Sequence, residues 1–357
     1  MKVGLIGSQF VSHIHALSLK RCAEAELFAV ASPTHGHAKT FAAKHGIPNH
    51  LTDYKKLLAM PEIDVVVVGV PNDLHCPIAL DAAAAGKHII MEKPLCLNLA
   101  EADQMLSACR KAKLKLMYAE ELCFTPKYVR LKQLLDSGAL GQPTLVKQSE
   151  KHDGPHAPHF WDVSRAGGGV TMDMGCHAIE FSRWMLGRPP IKSVYAQMGT
   201  QVHKDKTQGD DNALIILEFA TGVIALAEVS WTKLGGMDDR AEVHGSKGVA
   251  YADLHHGNAI ETYSAEGYDY AVEKAGSTRG WSFTIYEEEW NYGYPQEMEH
   301  FVDCVQNQKE PLVTGEDGRA VLEVIFAAYE SARTGRKVKL PFKTSANKPH
   351  DLWKSKR

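Results

Sequence analysis

Lys93, Asp173 and His177 are the residues whose types and setting could move a proton. Asp173 and His177 stand four apart in a stretch of helical period. A carboxylate and an imidazole would therefore share one helical face and could serve one substrate. Imidazole changes protonation near neutral pH, which suits it to proton transfer. On spacing alone, an ordinary helix-surface pair is the alternative. Lys93 follows the apolar run His88-Ile-Ile-Met91. A lysine at the carboxyl end of a parallel strand lies where open α/β sheets bind ligands. A snorkelling surface lysine is the competing reading.

Further polar residues cluster in sequence near these three. The stretch Glu150-Lys-His152-Asp-Gly-Pro-His156-Ala-Pro-His159-Phe-Trp161-Asp162 reads as a histidine-rich loop leading to Gly167-Gly-Gly169. Such loops commonly build ligand sites. His152 and His156 could bind ligand hydroxyls, and Trp161 could stack on a ligand ring. Glu120, after the strand ending at Tyr118, could accept hydrogen bonds from substrate hydroxyls; Glu121 could instead flank the next helix. Glu120, Glu150, His152, Cys176 and His177 offer oxygen, nitrogen and sulfur ligands that zinc or manganese accept. Their spacing matches no compact metal motif, and adjacent Cys176 and His177 diverge by about 100° on a helix. No metal is expected.

These side chains need elements to place them. The first third alternates β-rich runs (Lys2–Ile6, Glu26–Ala31, Asp64–Gly69, His88–Met91, Leu114–Tyr118) with helical stretches (to Arg21, Ala38–Lys44, Cys76–Ala85, Leu99–Lys111). Alternation of this kind predicts βαβ units and a doubly wound parallel sheet. After the glycines, a helix is expected from about Met172 to Leu186. Between Lys192 and Asp253, strands follow one another without helices, which predicts a mainly antiparallel sheet. Helical period returns at Gln296–Gln306 and Gly315–Arg333. The expected division is a dinucleotide-binding domain over 1–122, a substrate and assembly domain over 123–342, and a solvated basic tail over 343–357.

The first strand-to-helix turn, Gly7-Ser8-Gln9-Phe10-Val-Ser12, sits where a pyrophosphate would meet a helix N-terminus. A dinucleotide fingerprint wants glycine at 7, 9 and 12, and only Gly7 is present. Gln9 must then fold away from the phosphates, while Ser12 still allows fairly close packing. Beyond the second strand, Ser32-Pro-Thr-His35 carries neither the acid that binds a ribose diol nor an arginine for a 2′-phosphate. The absence of Lys or Arg before Lys39 favours NAD, with NADP the alternative.

Further motifs stand in order: Pro71-Asn72-Asp-Leu-His75, Glu92-Lys93-Pro94, then Gly167-Gly-Gly…Asp173-Met-Gly-Cys-His177. In this order they resemble the glucose-fructose oxidoreductase/inositol dehydrogenase/MocA family, over roughly residues 1 to 340. The resemblance implies a Rossmann domain and an α/β domain whose open, mainly antiparallel sheet mediates dimers or tetramers. It implies NAD(P)-dependent oxidation or reduction of secondary alcohols of sugars and cyclitols. It places Pro71, Asn72 and His75 against the cofactor, and Glu92, Lys93 and Pro94 beneath the nicotinamide, with a cis bond at Pro94. It makes Lys93, Asp173 and His177 the functional trio. The missing glycines depart from the pattern and weaken the expected grip on the cofactor.

Composition agrees with an enzyme of this type. The chain has 357 residues, 44% hydrophobic and 23% charged, close to an average globular protein and long enough for two domains. A formal charge of −3 gives no field that favours nucleic acid or an anionic membrane. No run reaches the roughly 18 apolar residues of a membrane span, and the first apolar run lacks signal-peptide features. Seven scattered cysteines do not form a disulfide framework. A cytoplasmic, homo-oligomeric sugar, glycoside or cyclitol dehydrogenase is expected. Two alternatives are a non-catalytic NAD(P)-binding regulator, which the degenerate turn would suit, and a glycoside-cleaving enzyme that uses bound NAD for transient oxidation.

Overall fold

The computed structural model of the chain describes residues 1–34, 36–256, 260–266, 274, 276–284 and 287–354. In chain order the elements are β1 (Lys2–Ile6), α1 (Phe10–Arg21), β2 (Glu26–Ala31), α2 (His37–His45), β3 (Asn49–Leu51), α3 (Tyr54–Leu58), β4 (Val65–Val68), α4 (His75–Ala84), β5 (His88–Glu92), α5 (Leu99–Ala112) and β6 (Leu116–Ala119). They continue as α6 (Pro126–Asp136), β7 (Pro143–Lys151), α7 (Val163–Ala166), α8 (Val170–Asp173), α9 (Gly175–Met185), β8 (Ile191–Gly199), β9 (Asn212–Phe219), β10 (Ile224–Ser230), β11 (Asp238–Gly245) and β12 (Gly248–Asp253). The last are β13 (Ile260–Ser264), β14 (Gly280–Thr284), α10 (Glu288–Asn291), α11 (Tyr294–Gln306), α12 (Gly315–Thr334), β15 (Val338–Lys339) and α13 (Pro349–Lys354).

Two compact units result. Unit 1 comprises 1–124 and 293–322, and unit 2 comprises 125–292 and 323–357. In unit 1, the described residues form a six-stranded sheet in the order β3-β2-β1-β4-β5-β6, with every pairing parallel. That order reverses between β1 and β4, which is the switch point where doubly wound sheets bind ligands. Val65 to Val68 are fully buried because helices cover both faces of a central strand. The return of 293–322 to unit 1 follows from packing: α11 lies on α1, and Phe301 meets Phe124 with ring centroids 5.6 Å apart.

Unit 2 holds a seven-stranded sheet among its described residues, in the order β12-β11-β7-β10-β9-β8-β15. Only its β7–β10 pair is parallel. Helix α9 lies against β7 and β10 on one face, so Ala213, Ile215, Leu217, Ala225, Ala227 and Val229 are buried there. The opposite face carries Leu214, Ile216, Ile224 and Tyr251, each at least 40% exposed.

Three expectations need correcting. The helix expected over Met172–Leu186 is two pieces, α8 and α9, broken at Met174. The expected loop over 150–162 starts only at His152, because Glu150 and Lys151 end β7. The tail is not wholly solvated: α13 docks on unit 2, with His350 N–H donating to the Gly167 carbonyl at 3.0 Å and Trp353 edge-on to Tyr329.

Candidate active site

In unit 1 the site residues stand at the carboxyl edge of the sheet. Gly7 follows β1 with φ +119° and donates its N–H to Ala31 O at 2.9 Å. A Cβ there would lie 2.0 Å from Gly69 O, so this turn admits only glycine. Helix α1 then begins with no side-chain cap at Gln9 and no acid in its first turn. A helix start without a side-chain cap or an acid is suited to receive an anion. The Gln9 side chain points to His37, with Nε2 3.2 Å from Nδ1. Ser8 Oγ donates to Ser32 Oγ at 2.9 Å, joining the ends of β1 and β2, and Phe10 is exposed. These residues fit a dinucleotide pyrophosphate even without the second and third glycines.

The exits of β4 and β5 are tied together. Asn72 is buried in a short 3₁₀ turn after Pro71. His75, fully buried, places Nε2 2.9 Å from Val70 O and Nδ1 2.9 Å from Pro94 O. Burial lowers the proton affinity of the ring, and a neutral imidazole donates to only one of these two carbonyls. The Lys93–Pro94 bond is cis. Glu92 ends β5; its Oε1 lies 2.5 Å from His15 Nε2, and its Oε2 accepts the Lys93 N–H at 3.0 Å.

A group of buried acids stands behind Lys93. Burial alone would raise the Glu92 carboxyl, but His15 and Lys93 outweigh it and hold the group below its ordinary value. Glu120, directly after β6, is pushed up to about 8, by burial first and by Glu92 against the opposing pull of Lys93. Glu297 on α11 is driven well above the carboxylate range by burial and by Glu121, Glu92 and Glu120. Glu121 accepts the Tyr294 hydroxyl at 3.2 Å.

In unit 2 the glycine run is locked by Asp210. Gly169 N–H lies 3.2 Å from Asp210 Oδ1 and 3.0 Å from the Tyr329 hydroxyl, which itself donates to Asp210. Thr171 N–H and Oγ1 donate to Asp210 Oδ2 at 2.9 and 2.6 Å. A Cβ on Gly169 would sit 2.0 Å from Asp210 O. This clamp supplies the acceptors that the start of α8 needs. Asp173 ends α8 and His177 lies in the first turn of α9; they are only 3% and 2% exposed, so they are not a helix-surface pair. Asp173 Oδ2 accepts the Trp231 indole N–H at 3.1 Å. The Cys176 thiol turns to the Asp173 carbonyl at 3.1 Å.

The histidine-rich loop packs beside Trp231. Trp161 meets Trp231 and His203 edge-on, at 5.2 and 5.0 Å between centroids. His152 is buried next to His156, 4.6 Å between ring centroids. Burial first, then the neighbouring His156, depresses His152 to about 3. Its Nδ1 is buried and has no partner among the described residues. Glu150 lies buried in β7, paired in register with Asp239 and Val229.

Family models decide the relationship. Residues 1–120 match the model described as oxidoreductase family, NAD-binding Rossmann fold, and residues 132–340 match that family's C-terminal alpha/beta domain. The chain belongs to the Gfo/Idh/MocA oxidoreductase family. A myo-inositol 2-dehydrogenase of Thermotoga maritima is 29% identical over 95% of this chain and 98% of its own. A scyllo-inositol 2-dehydrogenase (NAD(+)) of Bacillus subtilis is 29% identical over 96% and 97%. Among solved structures, GenD2 from gentamicin A biosynthesis, in complex with NAD, superposes with TM-score 0.90 at 32% identity, covering 96% of this chain and 97% of that one.

Within this Gfo/Idh/MocA chain, Trp231, Asp210, His15 and Glu297 escape sequence reading. Their partners lie far off in sequence: 58 residues separate Trp231 from Asp173, and 77 separate His15 from Glu92. Trp231 alone left a signal, a lone indole at the end of an alternating strand.

Proposed function

We propose that the protein is an NAD-dependent dehydrogenase acting on a secondary hydroxyl of a cyclitol or sugar. The observation that carries this reading is the buried pair Asp173 and His177, with Asp173 held by Trp231, in a chain that aligns nearly end to end with inositol dehydrogenases. Gly7, Ser8, Gln9 and Phe10 would hold the pyrophosphate, Ser32 the adenosine side, and Pro71, Asn72 and the Glu92–Pro94 turn the nicotinamide end. His75 would support that end by bracing Pro94. Bound NAD supplies the acceptor for the hydride. His177 takes the hydroxyl proton, and the Lys93 ammonium hydrogen-bonds the same oxygen as its charge grows. Asp173 orients a neighbouring substrate hydroxyl. Glu120, His152, His156 and Trp161 contribute further substrate contacts, with the His152 ring neutral.

The test is a panel of myo-inositol, scyllo-inositol, aldoses and methyl glycosides with NAD or NADP. NADH should form with at least one cyclitol or sugar, and faster than NADPH, because the sequence from Ser32 to His35, of which His35 lies outside the described residues, supplies no Lys or Arg for a 2′-phosphate. Failure of the whole panel, or products without net NAD reduction, would count against a dehydrogenase. The reading includes a cytoplasmic setting, which suits seven buried, unbridged cysteines.

It also includes a homodimer or homotetramer formed through the outer face of the unit 2 sheet. Leu214, Ile216 and Ile224 make an exposed apolar strip there, of the sort that marks association surfaces. Light scattering at micromolar concentration should give a multiple of the 39.3 kDa chain. Ile216→Glu should shift it toward monomer; a monomeric parent protein would refute the assembly.

A further inference from the structure

The turn after β1 and the turn after β2 are joined by a polar contact that the pyrophosphate does not need. Gln9 stands where a dinucleotide fingerprint has its second glycine. Its side chain reaches His37, the first residue of α2, with Nε2 3.2 Å from Nδ1. We propose that Gln9 and His37 together read the adenosine ribose of NAD, in place of the acid that ordinarily follows the second strand. The proposal rests on the reading of the β1–α1 turn as the dinucleotide site.

Topology fixes where that ribose lies. With the pyrophosphate at the start of α1, the adenosine half extends over the end of β2, where a carboxylate ordinarily accepts the ribose hydroxyls. Here β2 ends at Ala31, and the next acid in the sequence is Asp53. That carboxylate is already used, accepting the Lys55 N–H at 2.9 Å as the cap of α3. Ser32 is buried with its hydroxyl against Ser8, and Pro33 has no N–H. Among the described residues from 32 to 37, the exposed polar side chains are those of Thr34 and His37. Of these, His37 is held in place by a side-chain hydrogen bond, the one to Gln9.

Both side chains depart from fixed backbone. The Gln9 carbonyl accepts the His13 N–H at 3.2 Å, and the His37 N–H donates to Thr34 O at 3.1 Å. An amide NH₂ only donates, so His37 Nδ1 accepts and the ring proton of this contact sits on Nε2. The pair then retains one acceptor, Gln9 Oε1, and one donor, His37 Nε2–H. Neither atom has a hydrogen-bond partner among the described residues. A ribose hydroxyl donates and accepts at once, and this pair is its complement. The glycine missing at 9 and the acid missing after β2 are thus one change: the acceptor has moved from the second turn to the first.

The experiment reads affinity without turnover. NAD and its analogues lacking the adenosine 2′- or 3′-hydroxyl are titrated against the full chain by calorimetry. For the parent, at least one analogue should bind roughly three- to tenfold more weakly than NAD, the worth of one hydrogen bond. Gln9→Gly should weaken NAD by a similar factor and bind NAD and that analogue alike, and His37→Ala should do the same. Gln9→Glu, which keeps an acceptor of the same reach, should retain the discrimination. The fingerprint alone predicts the opposite for Gln9→Gly, since a restored second glycine lets the backbone approach the pyrophosphate. Both positions are exposed, and Gln9 has an extended backbone open to any residue, with φ −99°, so the variants should fold. Parent-like NAD binding by Gln9→Gly, undiminished discrimination in either truncated variant, or a parent that binds both analogues as tightly as NAD would overturn the proposal. A parent that binds no NAD would instead sink the dinucleotide site itself, and this proposal with it.

Discussion

His177→Ala is expected to lower kcat by roughly 10²-fold or more, within the range for loss of a general base, while NAD binding persists. A hydride does not leave a neutral alcohol readily, so a base must take the hydroxyl proton as the carbonyl forms. His177 is buried in the first turn of α9, and its backbone is set by the N–H bond to Met174 O at 3.1 Å. Raising the pH should restore part of the activity, because hydroxide can replace the missing base. Lys93→Met should cost at least as much, since it removes both charge and orientation at the substrate oxygen. A purely structural role predicts the opposite pattern: lower thermal stability with turnover little changed. Near-normal turnover of folded His177→Ala across the pH range would end the assignment.

How far the sequence reveals this arrangement depends on the range of the interactions. The Val65–Val68 run and the residues after each strand end were legible, because burial on both faces imposes a continuous apolar pattern and strand ends follow from it. Strand β7 was not, since Lys147-Gln148-Ser149-Glu150-Lys151 is polar throughout although Gln148 and Glu150 are buried. The break at Met174 was hidden because a helical period of 3.6 continues across it; the Asp210 clamp at the start of α8 was hidden because its partner lies 41 residues beyond Gly169. His15 reads as one more residue of an ordinary helix, and Glu297 as one acid in an amphipathic one. Their roles come from partners that only the fold assembles.

The buried acids predict a pH-dependent stability of large size. Glu120 ionises near 4.5 in the unfolded chain and at about 8 in the folded protein. The folded state therefore holds a proton that the unfolded state releases between these values. Stability from this group is fully present below about pH 4.5 and declines as pH rises through about 8. By pH 7 the loss is about 3 kcal/mol, at 1.36 kcal/mol for each unit. Glu297, raised for the same reason, acts with the same sign. Glu120→Gln keeps the shape and removes the ionisation. Relative to the parent, it should gain stability in urea progressively from acid to neutral pH, by on the order of 2 to 3 kcal/mol at pH 7. Lys93 opposes the shift, so Lys93→Met should raise the Glu120 value further and carry the decline to higher pH at an unchanged slope, and this extension should be absent in the Glu120→Gln background. Identical pH profiles for the parent and Glu120→Gln would mean that Glu120 is already ionised in the folded protein, and that Lys93 or another cation neutralises it fully.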